Sequence, residues 1–351
     1  MSLVRLHDTE NLERQIGVMF SSFGGPATTD MEGAFAIPHV APGTYALQVD
    51  LAGYLDPTSV VAMQDWMKPD PQVQANLRSA LPTVTIRGAE TASLDASLER
   101  GATLSGKVLF DDGSVASGIA MQLMDAPAVV GAGGSTARHR GGLHRSYSTD
   151  DQGNFRISSI PPGDYVAAAV IQIQRMVPLS TGRSAFQNVG SSQTIYAPGS
   201  FRKKNANIIR VSGTDEKSGI TITIPTRGLH FVAGTVIQQE NGMPVTGGNV
   251  QMVDEDDPTL MLNGQIATDG SFRIDFVTPG QYTLRVMNAF ERPQMDGTAP
   301  HRISHHYGTA QASVIVASGD ATGITLQVPA LEDPTKPPPI IAPPRAAATP
   351  K

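Results

Sequence analysis

DGSFRIDFVTPGQYTLRV, residues 269–286, decides the fold, because the same chain carries its pattern twice more. EGAFAIPHVAPGTYALQV (residues 32–49) and QGNFRISSIPPGDYVAAAV (residues 152–170) align with it without gaps through their central part. Each has a Gly, a Phe two positions on, a Pro-Gly dipeptide, and a Tyr two positions after that second Gly. The marks are Gly33, Phe35, Pro42, Gly43 and Tyr45; Gly153, Phe155, Pro162, Gly163 and Tyr165; and Gly270, Phe272, Pro279, Gly280 and Tyr282. The leading glycines stand about 120 residues apart, which is one domain per repeat and too long for a solenoid unit.

Each mark has a mechanical reason. Asp30, Asp150 and Asp269 precede the leading Gly and suit an Asx-type turn in which Gly takes positive φ cheaply. Phe-x-Ile then sets two apolar side chains on one face at the strand period of two. Pro-Gly makes a tight turn, and Tyr begins the next strand. A β-hairpin explains all of these residues without any ligand.

Looser matches extend the unit. GATLSGKVLFDDGSVASGIAMQL from Gly101 corresponds to GLHFVAGTVIQQENGMPVTGGNVQMV from Gly228, each reading strand, turn, bridge, strand. Closing strands correspond at GAETASLDASL from Gly88, GTDEKSGITITI from Gly213 and GDATGITLQV from Gly319. The first copy has no opening strand of the SGKV type, since Leu3-Val4-Arg5-Leu6 falls where the second strand sits elsewhere. A fragment, or a mis-assigned start, accounts both for this and for the absence of an export signal in the polar N-terminus.

Composition agrees with strands and turns. Apolar residues make up 40% of the 351, charged residues 17%, and Gly and Pro number 35 and 26, with no long helical pattern. A net charge of −6 argues against nucleic acid, whose phosphates need clustered Lys and Arg. The absence of cysteine removes disulfides and thiolate chemistry. No stretch has the ~20 apolar residues of a membrane helix.

The Gly-x-Phe … Pro-Gly-x-Tyr core, the SGKV-type opening strand and the Gly-x-Thr-Leu-type closing strand resemble the carboxypeptidase regulatory-like domains of bacteria. TIYAPGSFRKKNANIIRVSGTDEKSGITI from Thr194 is similar to a stretch those domains show before their last strand. The resemblance implies transthyretin-like sandwiches, of the broader starch-binding-like group, that serve as non-catalytic accessory modules on exported or envelope proteins. The expected fold is all-β: three tandem Ig-like or prealbumin-like seven-stranded β-sandwich domains, the first lacking its opening strand. They cover residues 1–99, 100–226 and 227–331, followed by a Pro-rich disordered tail over 332–351.

Several residues could carry chemistry. His7-Asp8-Thr9-Glu10 reads as His-x-x-Glu, yet lacks the α/β scaffold and third ligand of a zinc hydrolase. His301, His305 and His306 lie in a loop running into a strand. Asp254, Glu255, Asp256 and Asp257 lack calcium-loop spacing and read as a solvated turn. Arg138, His139, Arg140, His144 and Arg145 form one basic patch, in a Gly-rich insert, and Arg202, Lys203 and Lys204 form another. GAGGS from Gly131 lacks the Lys of a phosphate loop. Lys107 could begin an isopeptide bond, but the closing strand offers no Asn. Trp66 is the one candidate ligand-binding residue, as a sugar-stacking ring.

No catalytic residue, metal or cofactor is expected. The leading expectation is a non-catalytic structural or adhesive array of an extracellular or envelope-associated protein. A carbohydrate-binding array is the alternative. Partners are then a polysaccharide or an envelope protein, with no nucleic acid and no membrane span.

Overall fold

The computed structural model describes residues 1–6, 26–61, 65, 70–88, 90–126, 147–178, 184–291 and 305–331. It divides into two compact units: Met1–Val170 with Ile195–Ser200 and Asn205–Ile224, and Ile171–Thr194 with Phe201–Lys204 and Pro225–Lys351. The fold is all-β and multi-domain, built from successive copies of the repeat.

In the first copy, β1 (Ser2–Arg5), β2 (Gly43–Gln48) and β3 (Thr83–Ile86) form an antiparallel sheet in the order β1-β2-β3. One face of β1 and β2 presents Leu3, Tyr45 and Leu47 to the motif's Phe35 and Ile37. The other face, with Val4, Leu6 and Ala46, is covered by Val73 and Leu77 of helix α1 (Pro71–Ala80) and by Leu81, which caps its C-terminus. That helix was not expected, although its signals are local. Asp70 caps it, accepting from the Gln72 and Val73 amides at 2.8 and 3.3 Å, and Pro71 sits where its missing N–H is harmless. Val73 and Leu77 then fall four apart on one face.

The second copy comprises β4 (Ala102–Phe110), β5 (Ala120–Asp125), β6 (Tyr147–Ser148), β7 (Asn154–Ile160), β8 (Gly163–Pro178), β9 (Ser184–Tyr196), β10 (Ile209–Val211) and β11 (Glu216–Ile224). One sheet runs β11-β4-β7 and the other β10-β8-β5-β6, with β9 also on β8. The opening strand β4 is central, parallel to β11 and antiparallel to β7. Leu104 and Val108 of β4, Ile157 of β7 and Ile222 of β11 are all fully buried, which at about 2 kcal/mol per large side chain is the main force closing the copy.

The third copy repeats this with β12 (His230–Gln238), β13 (Gly247–Asp254), β14 (Met261–Gln265), β15 (Ser271–Val277), β16 (Gly280–Glu291), β17 (His305–His306), β18 (Gln311–Val316) and β19 (Ala321–Val328). Its sheets run β15-β12-β19 and β14-β13-β16-β17, with β18 on β16. Phe290↔His306 and Arg285↔Gln311 keep one register along β16, so β17 and β18 are one edge strand interrupted at residues 307–310. Counted so, the third copy has the seven strands expected.

Register proves the equivalence of the copies. Arg5 pairs with Tyr45, Asp125 with Tyr165 and Asp254 with Tyr282, so β1 is the counterpart of β5 and β13. Each of these tyrosines is buried and donates its hydroxyl proton to the carbonyl four residues back: Ala41 at 2.7 Å, Pro161 at 2.9 Å, Thr278 at 2.7 Å. The Pro-Gly-x-Tyr motif is thus a corner in which a phenol satisfies the carbonyl that the turn would leave unpaired.

The first copy differs from the other two on one side of its core. Residues 34–40 and 90–98 are the counterparts of β7/β15 and of β11/β19, yet neither joins a ladder in the described structure. Both flank the opening strand elsewhere. Among the described residues of the first copy, nothing corresponds to the three-stranded sheet of the other two.

Candidate functional site

Trp66 lies outside the described residues, as do His7-Asp8-Thr9-Glu10, the basic insert around Arg138 and His144, the GAGGS stretch, and His301. A cleft of about 290 Å³ lies in the first unit, bordered by Met1, Gln48, Asp50, Tyr54, Tyr147 and Ser159, among others.

The cleft is built where the turn after β2 meets the start of the second copy. Gly101 donates to the Gly53 carbonyl at 2.9 Å and Leu55 to the Glu99 carbonyl at 2.8 Å. The Ser159 hydroxyl accepts from the Gly53 amide at 3.1 Å and lies 3.4 Å from the Leu51 carbonyl. A side chain at Gly101 would strike Leu55 and the backbone at Ser159 and Ile160, so glycine is required for this approach. The Arg100 guanidinium lies 5.7 Å from the centre of the Tyr54 ring.

Most polar groups around the cleft are already engaged. Buried Asp56 accepts from the Val49 and Thr58 amides at 3.3 and 3.0 Å and from the Thr58 hydroxyl at 2.6 Å. Tyr147 donates to the Ser158 carbonyl at 2.9 Å, and Gln48 Oε1 accepts from the Ser2 hydroxyl at 3.2 Å. What remains is a small polar recess with two half-buried tyrosines at its border. It can hold a small ring by contact, and among the described residues that border it no imidazole stands by the Ser159 hydroxyl to serve as its base.

The acidic run in the second unit differs from its expectation as a solvated turn. Asp254 is fully buried and Asp257 is 5% exposed. Arg202 donates to Asp254 Oδ2 through Nε at 2.9 Å and Nη2 at 2.5 Å, and through Nη2 to the Pro279 carbonyl at 3.0 Å. Asp254 Oδ1 accepts from the Asp256 and Asp257 amides at 2.9 and 2.8 Å. Asp257 accepts from the Lys204 amide at 2.9 Å and from the Thr259 hydroxyl at 2.6 Å, while Lys204 Nζ lies 2.5 Å from Asp256. The acidic run and the second basic patch are partners of each other. No local signal announces this, because Arg202 and Asp254 are 52 residues apart in the chain.

Electrostatics follow the contacts. The bond to Asp254 raises the Arg202 pKa above its ordinary value. The Lys204 ammonium holds the Asp256 carboxyl below the ordinary range. Burial pushes Asp257 upward, but hydrogen bonds from Thr259 and the Lys203 and Lys204 amides outweigh it, and its pKa is lowered. Ammonium, guanidinium and amides occupy the carboxylates a calcium ion would need. No group of three His, Asp or Glu residues among the described residues is arranged to hold a metal.

His305 pairs with Glu291 across β17 and β16, its Nδ1 3.4 Å from Glu291 Oε2, and both side chains are exposed. Lys107 stands between Asn154 on β7 and Thr221 on the closing strand β11, so the closing strand offers it a threonine and no Asn. No helix among the described residues is long and apolar enough to cross a membrane.

Sequence reasoning missed one repeated device. His39, Ser159 and Phe276 occupy the same motif position, and all take left-handed backbone with φ of 59°, 62° and 63°. In the second and third copies this residue is a bulge against the opening strand, where the ladder slips between Ala102 and Leu104 and between His230 and Val232. No Gly or Asn marks the site, so no compositional signal points to it.

No family model matches the chain, and no curated protein matches it. Solved structures similar to it include the Bacillus anthracis TIE protein at 12% identity and a TM-score of 0.24, over 72% of this chain and 39% of that one. A streptococcal ancillary pilin matches at 11% identity and a TM-score of 0.27, over 95% of this chain and 92% of that one. The minor pilin of Streptococcus agalactiae matches at 13% and 0.28, over 67% and 99% of the two chains. The chain thus spans well under half the length of the first of these, and likenesses of this size assign it no role.

Proposed function

We propose that this chain is a non-catalytic structural or adhesive array of three β-sandwich domains, over residues 1–99, 100–226 and 227–331, acting at the bacterial cell envelope or outside the cell. The observation that carries this reading is where the polar side chains go. The phenol of each motif Tyr, the carboxylates of Asp56, Asp254 and Asp257, and the Arg202 guanidinium are all spent on holding turns and corners. A chain that commits its chemistry to its own turns is suited to bearing load and setting distance. The carboxypeptidase regulatory-like resemblance supports the same role and location, since those domains are accessory modules.

A carbohydrate-binding array is the second reading, favoured by the recess bordered by Tyr54 and Tyr147 and by Trp66 as a stacking ring. The two separate in one experiment. The purified chain, with Trp66→Ala and Tyr54→Ala variants, is titrated against insoluble polysaccharides and a soluble glycan panel. The array reading expects no saturable binding by any form. Saturable binding lost in either variant would overturn it and place the sugar site at that ring.

A further inference from the structure

We propose that the third copy presents a docking face for an acidic segment of a partner protein, on the outer side of the sheet β14-β13-β16-β18 and centred on Arg285. This goes beyond the array reading, which holds whether or not the face has a partner.

Register defines the face. Gln251 of β13 stands opposite Asn263 of β14 and Arg285 of β16, and Arg285 stands opposite Gln311 of β18. One row across four strands is therefore amide, amide, guanidinium, amide. Alternation along the strands sends the neighbours of these residues to the core, where Val250, Met252, Leu284 and Val286 are all 0% exposed. Strands lie about 4.8 Å apart, so the row spans about 14 Å.

The other copies use the same face for their own packing. Counted from the motif Tyr, Thr283 corresponds to Ala46 and Val166, and Arg285 to Gln48 and Ala168. Ala46 is 0% exposed against Leu77 and Leu81, while Val166 and Ala168 are 0% exposed against Tyr196. In the third copy Thr283 and Arg285 are half-buried, and Gln311 and Ser313 beside them are exposed. A face that is core elsewhere is here polar and open.

Arg285 indicates what the face takes. Its Nε is buried and has no hydrogen-bond acceptor. A guanidinium stays charged, and a buried N–H without an acceptor is costly. Among the described residues no carboxylate pairs with it, and Glu255 Oε1 instead accepts from the Thr283 hydroxyl at 3.1 Å. A carboxylate brought from outside would complete it. The flanks favour protein over sugar. No aromatic ring for a sugar to stack on stands in the row or in the rows beside it, where the large apolar side chains are Met261 and Met287. Thioethers adapt to the apolar side chains of a protein partner. Met261 at one edge of the face and Ile315 at the other are 51% and 68% exposed. The occupant is thus a segment with one Asp or Glu flanked by apolar residues. So small a face falls well below the ~800 Å² per partner of a stable interface, and binding should be transient, on the order of tens of micromolar.

The test applies the labelled full chain to an array of short synthetic peptides carrying Asp or Glu between apolar residues. A twin array has Asn or Gln in that place, and the best binders are then titrated in solution. Expected is saturable binding to acidic peptides above their amide twins, weakened by added salt. Arg285→Gln should bind at least about tenfold more weakly, Arg285→Lys should fall between, and Arg210→Gln, on the second copy, should bind as the unaltered chain does. Because Arg285 Nε has no partner to lose, Arg285→Gln should keep or raise the denaturation midpoint. No saturable binding, equal binding to the twin array, or an unaffected Arg285→Gln variant would overturn the proposal. A lowered midpoint in Arg285→Gln would overturn it too, since the chain's own fold would then be using the guanidinium. So would Arg285-dependent binding of polygalacturonate in preference to every peptide, which would make the occupant a glycan, or a dimer lost in Arg285→Gln, which would make it a second copy.

Discussion

Phe35 and Phe272 hold the same place in the same motif, yet the first is half-buried and the second 3% exposed. Their own sequences do not explain this: Gly-x-Phe-x-Ile, Pro-Gly and the buried Tyr are present in both copies, and the Tyr corner closes in both. The difference lies in a strand far away in sequence. Where β12 is present, three segments become a sheet and Phe272, Ile274 and Val277 are sealed beneath it. In the first copy no equivalent lies among the described residues, and two segments of suitable composition stay outside any ladder there. A central strand therefore contributes more than its own hydrogen bonds, because both neighbours are strands only in its company.

The comparison would be tested most severely by making the third copy resemble the first. Gly234→Val places a Cβ carrying two methyl groups against the Phe272 ring and the Ile324 carbonyl, and should destabilise the third copy by about 3 kcal/mol. Hydrogen exchange should then show β15 and β19 opening together, while β13 and β16 stay protected. If β15 alone opens, the opening strand does not organise both neighbours and the comparison fails.

A smaller effect is expected at the buried ion pair. Asp254→Ala removes the acceptor of Arg202 and of the Asp256 and Asp257 amides, and should cost about 2 kcal/mol. The figure sits below the usual range for a broken buried pair because the Arg202 side chain stays 19% exposed to water. Chemical denaturation followed by a reporter in the third copy measures it. Arg5 takes the register place of Asp254 in the first copy, so the first copy has no carboxylate there to lose.

Acid probes the same cluster. The pKa values of Asp256 and Asp257 are lowered from 3.8, so these groups add stability above that value and lose it as pH falls through their folded values, which lie lower. Denaturation midpoints for the third copy should hold steady from neutral pH to about 5 and fall only below about 3.8. A fall beginning near pH 6 would mean that groups other than these carboxylates govern the acid response.

These cases show what a sequence can disclose. Gly33, Pro42 and Tyr45 were legible because each residue type does one thing the backbone needs there: positive φ, a fixed turn, a phenol in reach of a carbonyl. α1 was missed although Asp70, Pro71 and the Val73/Leu77 spacing announce it, because the short helix sits in a chain dominated by turns. The left-handed bulge at His39, Ser159 and Phe276 was illegible, since tertiary pairing imposes it on residues that do not prefer it. Arg202 with Asp254 was illegible for another reason. Each was visible as a charge, but only the folded chain brings them together, and two apparent surface patches became one buried contact.

The smallest effect sharpens the comparison furthest, because it concerns what the copies share. Replacing Tyr45, Tyr165 or Tyr282 by Phe keeps the ring in place and removes one hydroxyl, leaving the Ala41, Pro161 or Thr278 carbonyl without that donor. About 1 kcal/mol should be lost at each, read as a lower denaturation midpoint. In the third copy the Thr278 hydroxyl, 2.8 Å from the Tyr282 hydroxyl, loses a partner as well, so its loss should be the greatest of the three. If the first copy loses as much as the second, the corner is an independent unit and its stability owes nothing to the opening strand. A loss in the first copy well below that in the second would mean that the corner there is already loosened, and that the pairing of the Phe segment reaches through the core to the far end of the motif.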